Sequence, residues 1–188
     1  MKYFDIRADD KQFGDRCFLG EPVSENGQAI DARLFRYGKT YEGIVPHSVP
    51  VQQNGKRIAF NLAAFDMPVV SNKIASVLRD VAANDCEFFP VAVGGSNVGM
   101  SIVNVVRRIE CVDESRCEDV MKWRPEDNRP DRLGSYRSIG GLRIDPTRME
   151  GHHIFRIFGW EVALIVSEVI RAKLETIENL GIVFDEVT

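Results

Sequence analysis

Two segments of the chain repeat one pattern of serine and apolar residues at a constant spacing of 96 residues. The repeated positions are Val70, Ser71, Ile74, Leu78, Val81 and Phe88 in the first segment, and Val166, Ser167, Ile170, Leu174, Ile177 and Phe184 in the second. A serine followed by apolar residues at helical spacing is typical of an N-capped amphipathic helix. Each segment therefore predicts a helix that begins at its serine, then a turn and a strand whose phenylalanine contacts that helix.

The chain around these two segments is strand-like. Residues 86–93 and 99–112 are rich in β-branched and aromatic side chains, and the intervening Gly94-Gly95-Ser96-Asn97 predicts a hairpin turn. Residues 57–65 fit either a strand or a buried helical turn, and residues 114–141 predict a long irregular stretch. Shorter strands are expected at residues 2–6, 142–145, 153–158 and 182–187, with Gly181 as the C′ residue that ends the second helix.

These elements predict an α+β fold with a mixed or antiparallel sheet and two similar helix-strand units, whose helices begin at Ser71 and Ser167. The length of 188 residues and the 44% content of hydrophobic residues suit a single domain covering residues 1–188. Within it, we expect a strand- and loop-rich N-terminal lobe over residues 1–56 and a main body over residues 57–188.

Charge and hydropathy narrow the classes of partner and location. The net charge is −4 and no run of lysine and arginine is present, which disfavours nucleic acid and slightly favours a basic protein partner. The N-terminal residues lack the apolar run of a secretory signal, and no segment approaches the roughly 18 apolar residues of a membrane span. We therefore expect no membrane association and a cytoplasmic location. The cysteines, Cys17, Cys86, Cys111 and Cys117, lack metal-site or redox spacing and are expected to be free thiols.

No residue pattern in the sequence predicts a catalytic, metal or cofactor site. The glycine-rich residues 94–99 lack the lysine and the hydroxyl residue of a phosphate-binding loop. His152 and His153 are adjacent, so in a strand they would point to opposite faces and would not converge on a metal with Asp145 or Glu150. We expect one of the two histidines to be packed and the other to be exposed.

The strongest candidate for a functional surface is the arginine-rich segment that starts at Trp123. Aromatic residues and arginine carry most of the binding energy in protein interfaces, because they combine large contact area with specific hydrogen bonds. The alternative is a solvated loop held by ion pairs between arginines and carboxylates. The candidate partner-binding residues are Trp123, Arg124, Arg132, Tyr136 and Arg137.

A family resemblance is carried by the stretches VSNKIASVLRDVAANDCEFFPV, VSEVIRAKLETIENLGIVFDEV, SIVNVVRRIECVDESR and HIFRI. Together they resemble the immunity proteins of bacterial polymorphic toxin systems, in the family catalogued as immunity protein family eleven and formerly as a domain of unknown function. The similarity runs from Lys2 to Val187 and is clearest over residues 68–113 and 142–184. It thins over residues 15–56 and 119–140, where we expect the choice of partner to reside.

The resemblance implies a cytoplasmic immunity protein that binds and neutralises a cognate toxin effector by stoichiometric protein-protein interaction, without enzymatic activity. The motif residues are mostly packing positions, so the family transfers no catalytic or toxin-contacting residue to this chain. Two alternatives stay open: a small hydrolase that uses His152 or His153 with a carboxylate, and a ligand-binding protein. No cofactor is implied, and whether the chain forms a homo-oligomer is left open.

Overall fold

The computed structural model describes residues 1–188, apart from the side chains of Asn97 and Val98. The strands in chain order are β1 (Tyr3–Ala8), β2 (Phe18–Leu19), β3 (Ser48–Val49), β4 (Val51–Gln53), β5 (Phe60–Leu62), β6 (Pro68–Ser71), β7 (Cys86–Val93), β8 (Ser96–Val105), β9 (Arg108–Ile109), β10 (Asp119–Lys122), β11 (Tyr136–Gly140), β12 (Ile154–Ile157), β13 (Trp160–Ser167) and β14 (Ile182–Glu186). The α-helices are α1 (Asp10–Phe13), α2 (Asn72–Ala82) and α3 (Glu168–Leu174).

The strands form two five-stranded sheets and two small two-stranded sheets. One large sheet has the order β3-β7-β8-β6-β5 and the other has the order β14-β1-β13-β12-β9. Most neighbouring strands are antiparallel, whereas β3 with β7 and β9 with β12 are parallel. The predicted α+β class with mixed and antiparallel sheets is therefore confirmed.

The repeat in the sequence corresponds to a repeat in sheet register. We call β5, β6, α2, β7 and β8 the first unit, and β12, β13, α3, β14 and β1 the second unit. In each unit, a central antiparallel strand lies between the strand that precedes the helix and the strand that follows it. The equivalent Cα pairs are Val70 with Ser101 and Val166 with Phe4, and then Phe88 with Val103 and Phe184 with Ile6. The central strand β8 follows its helix in the chain, whereas β1 is supplied by the N-terminus.

The two units share one hydrophobic core. Ile74 and Leu78 of α2 and Ile170 and Leu174 of α3 are all at most 1% exposed and belong to the same apolar cluster. The helices contact each other as well as their own sheets. Phe88 and Phe184 pack against this cluster, as the repeat predicts. The second helix is the better capped, since the Ser167 hydroxyl accepts a hydrogen bond from the Ile170 N–H whereas the Ser71 side chain caps nothing.

Each large sheet is covered on its other face by a different part of the chain. The first unit packs on an N-terminal 3₁₀ turn, Ala32–Arg36, through a cluster that contains Phe35 and Ile102. The second unit packs on the connection between the units, through a cluster that contains Phe155 and Met149. The N-terminal lobe therefore contributes core residues as well as loops.

Several expected elements agree with the structure. The strand over residues 86–93 and the hairpin that follows it are present, and Gly94 and Gly95 have the positive φ angles of 57° and 78° that a tight hairpin turn requires. Residues 57–65 combine both alternatives, since strand β5 is followed by the 3₁₀ turn Ala64–Asp66. The expected role of the Asn97 side chain in the turn lies outside the described residues.

Other expected elements are wrong in type or extent. The stretch predicted to be irregular contains the hairpin β10–β11, and residues 142–145 form only an isolated bridge, at Ile144. Strand β13 was not predicted, because both of its faces are buried and its apolar run lacks the alternation of a half-exposed strand. Helix α3 ends at Leu174, so Gly181 is not its C′ residue. A Cβ atom on Gly181 would lie 2.5 Å from the Ile58 side chain, so close packing explains this glycine.

Candidate partner-binding cleft

The hairpin β10–β11 lies in the connection between the two units and is attached to the turn between β12 and β13. The Tyr136 N–H donates to the Gly159 carbonyl at 2.9 Å. The strands of the hairpin are extended by hydrogen bonds between Trp123 and both Gly134 and Ser135. Two 3₁₀ turns, Pro125–Asp127 and Pro130–Arg132, form its tip. Local backbone bonds thus position Trp123 and Tyr136 beside the second unit.

Trp123 is the centre of an arginine cluster. The guanidinium carbons of Arg137, Arg129 and Arg132 lie 5.1, 5.8 and 5.8 Å from the centroid of its ring. An arginine over an aromatic ring interacts with the π system while its planar N–H groups stay available for a carboxylate. Arg137 also donates to Asp127 at 2.8 Å, which fixes its orientation. The half-buried ring therefore organises three cationic side chains on one surface.

Tyr136 is fixed by a charged pair at the base of the hairpin. Its hydroxyl donates to Glu114 at 2.8 Å, and Lys122 lies 2.6 Å from the same carboxylate and 5.2 Å from the Tyr136 ring. Burial raises the pKa of Tyr136, and the hydrogen bond to the Glu114 carboxylate raises it as well. Hydrogen bonds from Lys122 and Tyr136 lower the pKa of Glu114. Tyr136 is consequently a neutral donor held in a fixed position.

These side chains form one wall of an open cleft of about 750 Å³. The other lining residues include Tyr37 from the N-terminal segment, Phe158 from the β12–β13 turn and Trp160 at the start of β13. Leu133 and Phe158 are 58% and 52% exposed, which is unusual for large apolar side chains. The cleft thus combines exposed apolar side chains with aromatic rings and guanidinium groups.

The structure brings together four of the five candidate residues from the sequence. The side chains of Trp123, Arg132, Tyr136 and Arg137 line the cleft. Arg124 does not line it, and instead lies 3.8 Å from Glu126 at the hairpin tip. Ion pairs of the kind expected for a solvated loop are also present, so both interpretations of this segment describe part of its structure. Sequence reasoning missed Tyr37, Phe158 and Trp160, because only folding brings them beside the hairpin.

The two adjacent histidines make separate structural contacts. His152 Nδ1 lies 2.9 Å from Asp85, which also accepts from Arg107 at 3.0 Å. This contact joins the segment before β12 to the 3₁₀ turn that follows α2. His153 Nδ1 lies 2.9 Å from the hydroxyl of the buried Ser167. Both histidines are half-buried, so the expectation of one packed and one exposed is wrong. They precede β12 and lie outside its alternating faces.

The Ser167–His153 pair does not have the features of a catalytic nucleophile and base. Ser167 is fully buried, and its oxygen accepts from the Ile170 N–H at the start of α3. A nucleophile must reach its substrate, and this hydroxyl is instead part of a helix cap. Burial raises the pKa of Cys86 and of Cys111 to about 12, so both thiols are protonated and unreactive at neutral pH.

Among the described residues, no group of three or more His, Cys, Asp or Glu side chains is arranged to hold a metal ion. No α-helix in this part of the chain combines the length and the apolar composition needed to cross a bilayer.

A second cavity, of about 790 Å³, lies beside the first and shares Trp160 and Val162 with it. Burial raises the pKa of Asp5 in its wall to about 6, although the Leu164 N–H donates to this carboxylate. Arg156 lines the same cavity and is fully buried, with a hydrogen bond from Nη1 to the Val162 carbonyl at 3.3 Å. Its Nε and Nη2 atoms have no partner among the described residues.

Comparison with known proteins identifies a family for the chain. The model of the Immunity protein family (Imm11) matches residues 5–188, which include both units and the hairpin that forms the cleft wall. No curated protein matches the chain. The match covers nearly the whole sequence, and the resemblance seen in the sequence is therefore confirmed. This chain belongs to the Immunity protein family (Imm11).

Proposed function

We propose that the protein is a cytoplasmic immunity protein that binds a cognate toxin effector and neutralises it stoichiometrically, without turnover. The observation that carries this proposal is the family match over residues 5–188. Membership of an immunity protein family implies a toxin partner in general terms. The histidine contacts add support for a mechanism without catalysis, because both histidines are engaged in holding the fold together.

We further propose that the cleft beside Trp123 is the toxin-binding surface. Neutralising a toxin at low concentration requires a dissociation constant of about 1 nM, or about 12 kcal/mol of binding free energy. Interfaces of this strength depend on a few buried aromatic and arginine side chains. Trp123, Tyr136, Arg132 and Arg137 are of these types, and the exposed Leu133 adds apolar area beside them.

Titration of toxin activity distinguishes binding from catalysis. The purified toxin domain encoded next to this gene is mixed with increasing amounts of the immunity protein, and the residual toxin activity is measured. A binder is expected to reach complete inhibition at one molecule per toxin, with an endpoint that does not move with incubation time. If a small fraction of one equivalent progressively removes all toxin activity, the protein is an enzyme and the proposal is wrong.

Replacing the central aromatic residue tests the location of the surface. Trp123→Ala is expected to weaken toxin binding by about 30-fold or more, since truncation of an interface hot spot costs about 2 kcal/mol or more. Phe18→Ala is a matched control, because Phe18 is also partly exposed and also carries an arginine, Arg16, at 5.0 Å from its ring, but lies outside the cleft. Equal dissociation constants for both variants in calorimetric titrations would place the contact surface elsewhere.

A further inference from the structure

We infer that the cleft beside Trp123 receives an acidic segment of the toxin, whose carboxylates bind the cationic side chains of the cleft while an apolar side chain contacts Leu133 and Phe158. This inference rests on the proposed function and specifies the chemistry of the partner. It differs from what the net charge of the whole chain suggests, since a protein of charge −4 slightly favours a basic partner.

The charge of the cleft is opposite to that of the chain. Its cationic lining residues are Arg36, Lys39, Arg108, Lys122, Arg132 and Arg137. Its acidic lining residues are Glu110, Glu114, Asp131 and Glu161. Six cations against four carboxylates leave a local excess of two positive charges, and local complementarity decides which surface of a partner is recognised.

Three of the four carboxylates are already engaged within the protein. Glu114 holds Lys122 and accepts from the Tyr136 hydroxyl. Glu161 lies 3.6 Å from Arg108 and accepts from the Gly159 N–H. Asp131 accepts two hydrogen bonds from Arg129, at 3.0 and 2.9 Å. These carboxylates therefore provide little capacity for a basic partner.

Two cations of the cleft are weakly compensated. Lys39 makes no ion pair within 4.0 Å among the described side chains, and its carbonyl, rather than its ammonium group, contacts Asn104. Arg132 lies 3.9 Å from Asp131, a carboxylate that already accepts two hydrogen bonds from Arg129. Lys39 and Arg132 come from segments far apart in the chain and line the same cleft. Incoming carboxylates are the groups that complete their interactions.

The apolar side chains of the cleft favour a polypeptide over another polyanion. Tyr37, Leu133 and Phe158 are each more than 40% exposed within the cleft, and burying such groups stabilises a complex only if the partner supplies apolar surface. A nucleic acid backbone would use the cations alone and would be repelled by the remaining negative surface. An acidic segment that carries at least one apolar side chain uses both features of the cleft.

A charge-reversal pair tests this inference. The variant Lys39→Glu/Arg132→Glu reverses the two weakly compensated cations. The matched control, Arg57→Glu/Lys73→Glu, changes the net charge by the same amount at two exposed positions outside the cleft. Binding to the toxin domain encoded next to this gene is measured by calorimetry at low and high salt. Thermal melting verifies that each variant folds, and Lys39→Gln/Arg132→Gln replaces the reversal if it does not.

The cleft variant is expected to bind about 100-fold more weakly than wild type at low salt, whereas the control changes the dissociation constant by less than about 3-fold. Wild-type binding should weaken with added salt, and the cleft variant should lose most of that salt dependence. If the cleft variant binds as tightly as wild type, or if the control loses as much affinity, the inference is wrong although the proposed function stands. If wild type forms no complex with the toxin, both proposals fail. Stronger binding to a DNA or RNA oligonucleotide than to the toxin would also overturn the inference.

Discussion

The two units use the same strand register but have opposite chemistry on one face of the sheet. In the first unit, Phe89 of β7 pairs with Ile102 of β8, and both pack in the cluster formed with the N-terminal lobe. The equivalent pair in the second unit is Asp185 of β14 with Asp5 of β1, and both side chains line an open cavity. Like charges directly opposite in an antiparallel sheet are destabilising. The comparison shows that one scaffold position can serve packing in one unit and polar chemistry in the other.

A third pair of equivalent positions follows the same pattern. Leu62 pairs with Pro68 in the first unit, and Arg156 pairs with Leu164 in the second. Burial, together with the nearby positive charge of Arg36, lowers the pKa of Arg156 to about 10. Like charges opposite each other and a buried arginine both reduce stability, and such placements are expected where a surface is used for recognition. The second unit is thus the one that lies beside both cavities.

Truncating leucines in the core shared by the two units is expected to reduce stability more than any other change proposed here. Leu78→Ala and Leu174→Ala remove equivalent side chains that are 1% and 0% exposed, and each is expected to lower the free energy of unfolding by about 2–5 kcal/mol. Because α2 contacts α3, the double variant should lose less than the sum of the two single effects. Urea denaturation measures all three values. If the two single costs add fully in the double variant, the two leucines do not act through one shared core.

Asp5 in the second unit predicts a pH dependence of stability, which the apolar Ile102 at the equivalent position of the first unit does not. The native pKa of Asp5 is about 6, against an ordinary value of 3.8, so the native state favours the protonated form. The raised pKa of Asp5 contributes up to about 3 kcal/mol to the free energy of unfolding. This contribution is fully present below pH 3.8 and is lost as the pH rises through about 6. Asp5→Asn removes the titration, so its stability relative to wild type should rise between pH 4 and pH 7. A constant difference across this range would contradict the native pKa.

Replacing the two serines that begin the helices is expected to change stability least, but by clearly different amounts in the two units. Ser167→Ala removes a cap and the contact with His153, and is expected to cost about 1 kcal/mol. Ser71→Ala is expected to be neutral or slightly stabilising, because the buried Ser71 hydroxyl has no hydrogen-bond partner among the described residues. Chemical denaturation of both variants under identical conditions compares them. Equal costs would mean that the two caps are equivalent in solution.

The repeated units could be predicted largely from local sequence. A serine, an apolar stripe at helical spacing and a following β-rich run are each short-range signals, and both units show them at a spacing of 96 residues. The Gly94-Gly95 hairpin is local in the same sense. These predictions succeed because the residues that define each element are close in the chain and face one core.

Four of the residues that line the candidate cleft could also be predicted from the sequence. Trp123, Arg132, Tyr136 and Arg137 lie within one segment, and their residue types alone indicate a contact surface. The hairpin that holds them was missed, because its strands are short and polar and its register has an irregularity at Met121. Residue types identified the segment, but its polar composition concealed the strands.

Long-range pairing was decided only by the tertiary structure. The N-terminal strand β1 becomes the central strand of the second unit by pairing with β13 and β14, more than 150 residues away in the chain. The same folding brings Tyr37, Phe158 and Trp160 beside the hairpin, where they line the open cleft. The sequence by itself determined the two repeated helix-strand units and the family, since both depend on local patterns of side chains. Which strand completes a sheet, and which distant side chains share a surface, depend on contacts between residues whose separation leaves no periodic signal.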